Sequence, residues 1–204
     1  MNALAPLYGL VLAGGESRRM GRDKALLDYH GRPQLDWAFD LLSRHCERVF
    51  VSVRAEHARD GARAALPQII DGNLGAGPIA GIAAAQAAHP DAAWLVVACD
   101  LPFLSDTTLA SLVARRGRQP VTAFRSAHDG LPEPLCAIYE PASRDAIVEF
   151  IGTGRHCPRK FILASGVPLA ELPEATALDN VNTPEELAAA ATRLNSQAEP
   201  GLRR

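Results

Sequence analysis

The chain has 204 residues, 48% of them hydrophobic and 22% charged, enough for one domain with a substantial core. A formal net charge of −2 excludes the global basic field that draws a protein onto nucleic acid or anionic membrane. No apolar run approaches the roughly 18 residues of a membrane span, and the start MNALAPLYGLVLAGG lacks the basic region and cleavage site of a signal peptide, so a cytoplasmic protein is expected.

Tyr8–Leu12 reads as the first strand and runs into Leu12–Lys24, LAGGESRRMGRDK, with paired glycines, three arginines and a lysine. Pro33–Cys46 reads as a helix, because Leu35, Ala38, Phe39, Leu42 and Cys46 fall on one face. A strand over Val49–Val53, a polar helix over about Glu56–Ala65 and a brief strand over Gln68–Ile70 follow. DGNLGAG, Asp71–Gly77, is a turn-rich loop before an Ala-rich helix, Pro78–Ala88, with proline where its missing N–H costs nothing. The unbroken apolar run Trp94–Ala98 marks a strand covered on both faces. Ser105–Arg116 is a helix closed by Gly117. Strands over Val121–Phe124 and Leu135–Tyr139 precede a helix over Ala142–Ile151 and a shorter one over Pro158–Ala164. Thr183-Pro184-Glu185-Glu186 opens a last helix with a capping-box pattern. The apolar pattern ends near Leu194, so residues 1–194 are expected to form one domain and 195–204 a frayed tail. Such strand–helix alternation predicts an α/β fold with a mostly parallel sheet flanked by helices, and a ligand outside the carboxyl ends of the strands. Three suggestive loops follow strands: LAGGESRRMGRDK, IIDGNLGAGP and VVACDLP.

Cys46, Cys99, Cys136 and Cys157 form no CxxC pair and read as reduced, buried or half-buried thiols. The Walker, GxGxxG and GxSxG patterns are absent. The physics of a phosphate loop is nevertheless present. Gly14 and Gly15 let backbone N–H groups approach an anion, and Arg18, Arg19 and Lys24 supply charge to neutralise a polyphosphate. Asp100, just past a buried strand, is a natural Mg²⁺ ligand or else a plain turn residue. Asp71, at another strand end, suits a sugar or base edge, or equally a simple turn. No paired carboxylates or activated nucleophile stand out. Nucleotidyl transfer to a phosphate acceptor needs neither, since a phosphomonoester is already largely dianionic at pH 7. The enzyme must align two anions and screen their charge.

LAGGESRRMGRDK closely resembles the signature loop of the nucleotidyltransferases that act on the molybdenum cofactor. IIDGNLGAGPIAGI resembles their Asp-containing strand end followed by GPLAG, VVACDLPFL their metal-binding segment, and LDNVNTPEEL their closing NVNTPEEL. The resemblance implies a single-domain Rossmann-like fold of glycosyltransferase-A type. LAGG and GPIAG resemble the guanylyltransferases rather than the cytidylyltransferases. GTP and molybdopterin are thereby implied as substrates, with Mg²⁺, or Mn²⁺ in its place, as cofactor. A molybdoenzyme or its chaperone is the implied protein partner. By position, Leu12, Ala13 and Gly14 would meet the nucleotide through backbone groups and Gly15 would keep the turn open. Arg19 and Lys24 would bind phosphates, Asp71 would contact GTP, and Asp100 would hold the metal. Asn180 and Asn182 would lie near the metal or the pterin phosphate. Ser52 stands where the family often has an Asn that contacts the nucleotide, and its shorter side chain would bond a ribose or base through its hydroxyl. Leu131–Leu135 departs from the family's usual His-Pro, on the pterin side. Arg155, Arg159 and Lys160 either receive the acceptor phosphate or open an ordinary basic helix. The competing readings are CTP as donor, a sugar phosphate as acceptor, and a nucleotide-binding domain without catalysis.

Overall fold

The computed structural model describes residues 4–13, 26–72, 77–181, 186, 188, 190 and 192–194. Six strands form one sheet in the order β3-β2-β1-β4-β6-β5. They are β1 (Leu7–Leu12), β2 (Arg48–Arg54), β3 (Gln68–Asp71), β4 (Ala93–Ala98), β5 (Val121–Arg125) and β6 (Pro132–Tyr139). β1 pairs in parallel with β2 and β4, and β2 with β3, while β6 runs antiparallel between β4 and β5. Only β6 is reversed, so the carboxyl ends of the other five strands share one edge.

Side chains alternate across a strand, and the sheet uses both faces. On one, Val11, Val51, Leu95 and Val97 pack with Leu35, Leu41 and Leu42 of α1 (Gln34–Ser43) and Leu109 and Leu112 of α4 (Asp106–Ala114). On the other, Leu10, Phe50, Trp94, Val96 and Tyr139 pack with α3 (Pro78–Ala88), α5 (Arg144–Gly152) and α6 (Pro158–Ser165). Every residue of β4 is buried, as its unbroken apolar run requires. A third cluster, Leu27, Tyr29, Val181 and Ala190 with Phe103 and Leu194, lies apart from these two. It joins the segment returning after residue 25 to the last described residues, of which 186, 188, 190 and 192–194 are helical. No helix among the described residues is long and apolar enough to cross a membrane.

Four expectations need correction. The helix expected over Glu56–Ala65 is a 3-10 turn, Ala55–His57, and a one-turn helix, α2 (Gly61–Ala64). Gly61, at φ +41°, breaks the run. α4 ends at Ala114 on Arg115 in the right-handed region, so Gly117 does not close it. Gly166, at φ +63°, is the left-handed cap, and it ends α6. β6 begins at Pro132, earlier than expected. The register shift between Ala123 and Arg125 accommodates prolines that donate no ladder hydrogen bond. Cys157 is exposed, whereas Cys99 and Cys136 are buried and Cys46 is half-buried.

Candidate functional site

Strand register assembles the site. Leu12 lies opposite Ser52 on one side and Ala98 on the other, and Arg54 lies opposite Asp71. Two hydrogen bonds carry these ladders past the strand ends: Ala13 N–H donates to the Ser52 carbonyl at 3.2 Å, and Cys99 N–H to the Leu12 carbonyl at 3.3 Å. Leu12, Ala13, Asp71 and Asp100 therefore meet along one edge. Asp100 follows Cys99 directly and is half-buried. Its carbonyl accepts the Val181 N–H at 3.3 Å, which brings the exposed Asn180 beside it across 80 residues of sequence. Gly14, Gly15, Arg19, Lys24 and Asn182 lie outside the described residues.

Ser52 is 1% exposed and faces α3. A Cβ built on Gly81 would stand 2.5 Å from Ser52 Oγ and 3.1 Å from Leu12 Cδ2, so glycine lets the helix close directly over both residues. This contact yields a stability prediction. Overpacking costs about 1–3 kcal/mol, against about 1 kcal/mol gained in helix propensity on replacing glycine by alanine. Gly81→Ala should therefore lower stability in urea unfolding. In a Ser52→Ala background, with Oγ gone, it should become neutral or stabilising. An equal loss in both backgrounds would place the strain elsewhere.

The electrostatics follow burial. Desolvation raises the Asp71 carboxyl above its usual range, with Arg54 pulling it down and Glu56 pushing it up. Tyr29, buried in the third cluster, has its phenol pushed up to about 12 by desolvation first, then by the charges of Asp100, Cys99 and Glu186. Tyr29 and Glu186 thus belong to the surroundings of Asp100. Neither was legible in the sequence. Arg63 was also missed: its Nη2 donates to the Ala13 carbonyl at 3.1 Å.

β5 points the same way as β1–β4, so the turn after it, Ser126–Leu131, emerges on the site edge. His128 Nε2 lies 2.8 Å from Asp179 Oδ1, next to Asn180. The hydrogen bond to Asp179 and that residue's charge raise the imidazole above its ordinary value. Arg159 Nη1 donates to Asp129 Oδ2 at 2.9 Å and Nη2 lies 3.6 Å from Glu133. Arg155 lies over the Phe150 ring at 4.1 Å. These two cations already have intramolecular partners, while Lys160 is exposed.

Among the described residues no group of three or more His, Cys, Asp or Glu gathers as a metal cage. A single half-buried carboxylate at a strand end suits Mg²⁺, a hard ion that keeps waters and binds through one or two carboxylates plus substrate phosphates. The donor set at Asp100 fits that ion.

A family model described as the MobA-like NTP transferase domain matches residues 9–168. A Molybdenum cofactor biosynthesis bifunctional protein from Synechocystis is 37% identical over 89% of the chain and 52% of its own length, so the chain spans about half of that relative. The Molybdenum cofactor guanylyltransferase of Pseudomonas aeruginosa is 34% identical over 92% of this chain and 96% of that one. Among solved structures, the Molybdopterin-guanine dinucleotide biosynthesis protein A from Archaeoglobus fulgidus superposes with a TM-score of 0.77, at 25% identity, over 93% of this chain and 99% of that one.

Proposed function

The chain belongs to the MobA-like NTP transferase domain family, and from that premise we propose that it transfers GMP from GTP to the phosphate of molybdopterin. The products are pyrophosphate and the guanine dinucleotide form of the cofactor. The observation that carries this reading is the convergence of Leu12, Ala13, Asp71 and Asp100 on one sheet edge, with Val181 hydrogen-bonded to Asp100.

An oxygen of the acceptor phosphate attacks the α-phosphorus of GTP. A new phosphorus–oxygen bond forms, the bond to the bridging oxygen breaks, and pyrophosphate leaves with that electron pair. The acceptor is already a dianion, so no protein base removes a proton. The chain's task is alignment and charge screening. The backbone over Leu12, Ala13 and Gly14 forms the wall of the nucleotide cradle, with the Ala13 N–H and carbonyl fixed by Ser52 and Arg63, and Gly15 leaves room for close approach. Arg19 and Lys24 bind the phosphates and offset charge in the transition state. Asp71 receives the nucleoside end. Asp100 holds Mg²⁺, or Mn²⁺, which when bound supplies charge neutralisation and orients phosphate oxygens. Asn180 and Asn182, on either side of Val181 in the sequence, serve the metal or the pterin phosphate. The main chain at Ser52 fixes Ala13 through its carbonyl, while its hydroxyl is buried beneath Gly81 of α3, so Ser52 serves the nucleotide through that carbonyl.

Pyrophosphate release with Mg²⁺ and molybdopterin, with GTP and CTP supplied in separate reactions, tests the reading. Release with GTP that depends on pterin is expected. Release with CTP alone would keep the chemistry and overturn the donor. No release with either, using intact pterin, would overturn the acceptor or the catalysis itself.

A further inference from the structure

Ala13, the last residue before the Gly14–Gly15 pair, is held from two sides. Its N–H donates to the Ser52 carbonyl at 3.2 Å, and its carbonyl accepts from Arg63 Nη2 at 3.1 Å. Ala13 is 4% exposed and Arg63 6%, although 50 residues separate them in sequence. Burying a guanidinium is costly unless its geometry is well satisfied. Here the backbone beneath it is braced. Arg63 N–H donates to the Asp60 carbonyl at 3.0 Å, and the Arg63 carbonyl accepts from the Leu66 N–H at 3.2 Å. The same carbonyl accepts from Gln68 Nε2, which also donates to the Ala58 carbonyl at 2.9 Å. The one-turn α2 is thus a bracket that holds the Arg63 guanidinium against the Ala13 carbonyl.

We propose that Arg63 is a positioning residue for the nucleotide loop, fixing the peptide from which residues 14–24 depart and adding a buried positive charge at the loop's root. The nucleotide half of this inference rests on the nucleotidyltransferase reading above. A peptide unit is planar, so fixing the Ala13 carbonyl fixes the plane in which the chain leaves β1. Donors held in place beforehand cost no reorganisation when charge develops on a phosphate. Lysine would keep the charge at this position but not the planar fork, so the two contributions are separable.

The experiment compares Arg63→Met and Arg63→Lys with the unmodified protein. Arg115→Met serves as the control, since Arg115 is exposed and donates to the Ser111 carbonyl within α4, at the sheet edge opposite Ala13. Two readouts are taken: amide exchange at Ala13 by NMR, and the KM values for GTP and for molybdopterin. In Arg63→Met, exchange at Ala13 should speed up at least about tenfold while the β4 amides are unchanged, because the Ala13 N–H bond to Ser52 opens more readily once the following peptide loses its charged donor. The KM for GTP should rise about tenfold and that for molybdopterin stay within about twofold. Arg63→Lys should show the same exchange with a smaller rise in KM, and it carries the test if Arg63→Met does not fold. Unchanged exchange at Ala13 in either folded variant overturns the anchor. Unchanged GTP kinetics with faster exchange overturns the nucleotide role alone. Absence of GTP turnover in the unmodified protein would remove the nucleotide role together with the family activity, and exchange at Ala13 would still decide the anchor.

Discussion

Asp100→Ala should lower turnover at least about a hundredfold, the range set by losing a main electrostatic stabiliser of a developing charge. The fold should survive the change. β4 is buried throughout and does not depend on the carboxylate beyond its end. The contact that ties Asp100 to Val181 uses the main-chain carbonyl, which the substitution leaves in place. Steady-state kinetics over a Mg²⁺ titration measure the loss. A second readout needs no substrate. The Asp100 charge is one reason, after burial, that the Tyr29 phenol titrates as high as about 12. A carboxylate disfavours a neighbouring phenolate, so removing it stabilises the phenolate, and the tyrosine pKa must fall. Alkaline difference spectroscopy should show that fall. A variant with the Tyr29 shift and near-normal turnover would keep the geometry and remove Asp100 from metal binding.

The parts of the fold legible in the sequence are those with a strong local cause. β4 follows from an apolar run that only a strand covered on both faces can bury. α1 follows from the spacing of Leu35, Ala38 and Leu42, all of which the structure buries. α3 starts at Pro78 as expected. The misread elements have weak local signals or depend on tertiary context. Glu56–Ala65 is polar along its length, so nothing compelled one helix, and Gly61 divides it. Pro132 and Pro134 hid the start of β6, because a bulge opposite them is visible only in the pairing.

The site divides in the same way. Leu12, Asp71 and Asp100 stood out because each ends a strand or follows one closely, and parallel strands bring such ends together. Arg63 gave no signal, since an arginine in a short polar segment reads as solvated. Its role depends on a contact across 50 residues. Tyr29 was equally silent: its neighbours Asp100 and Glu186 come from distant parts of the chain. Ser52 shows the limit of position alone. Its place after Val49-Phe50-Val51 says where it stands along β2, whereas the close approach of Gly81 says what covers its hydroxyl.

Arg116→Met should destabilise the protein by about 3–5 kcal/mol, the loss expected when one partner of a buried ion pair is removed. Arg116 Nε donates to Glu140 Oε1 at 2.5 Å and Nη2 to Oε2 at 3.0 Å, with the two side chains only 8% and 9% exposed. Nη2 also donates to the Ala5 carbonyl at 2.7 Å. Glu140 is itself a junction: its N–H reaches the Pro120 carbonyl, and its carbonyl accepts from Gln86 Nε2 and Ser143 Oγ. The pair therefore joins the chain before β1, the segment after α4, the end of β6 and α3, at the sheet edge opposite Asp100. Methionine spans some of the volume but leaves Glu140 as an uncompensated buried charge. A domain is typically stable by about 5–15 kcal/mol, so the loss is a large share of the total. Urea unfolding should show it, while the remaining folded enzyme keeps its KM for GTP because the lesion is on the far edge. Arg116→Met with Glu140→Leu should recover much of the loss, since apolar replacement of a whole buried pair is often neutral or better. If the single variant loses less than about 1 kcal/mol, the pair behaves as a surface contact. If the double variant is no better than the single, the cost lies in the Ala5 contact and not in the stranded carboxylate.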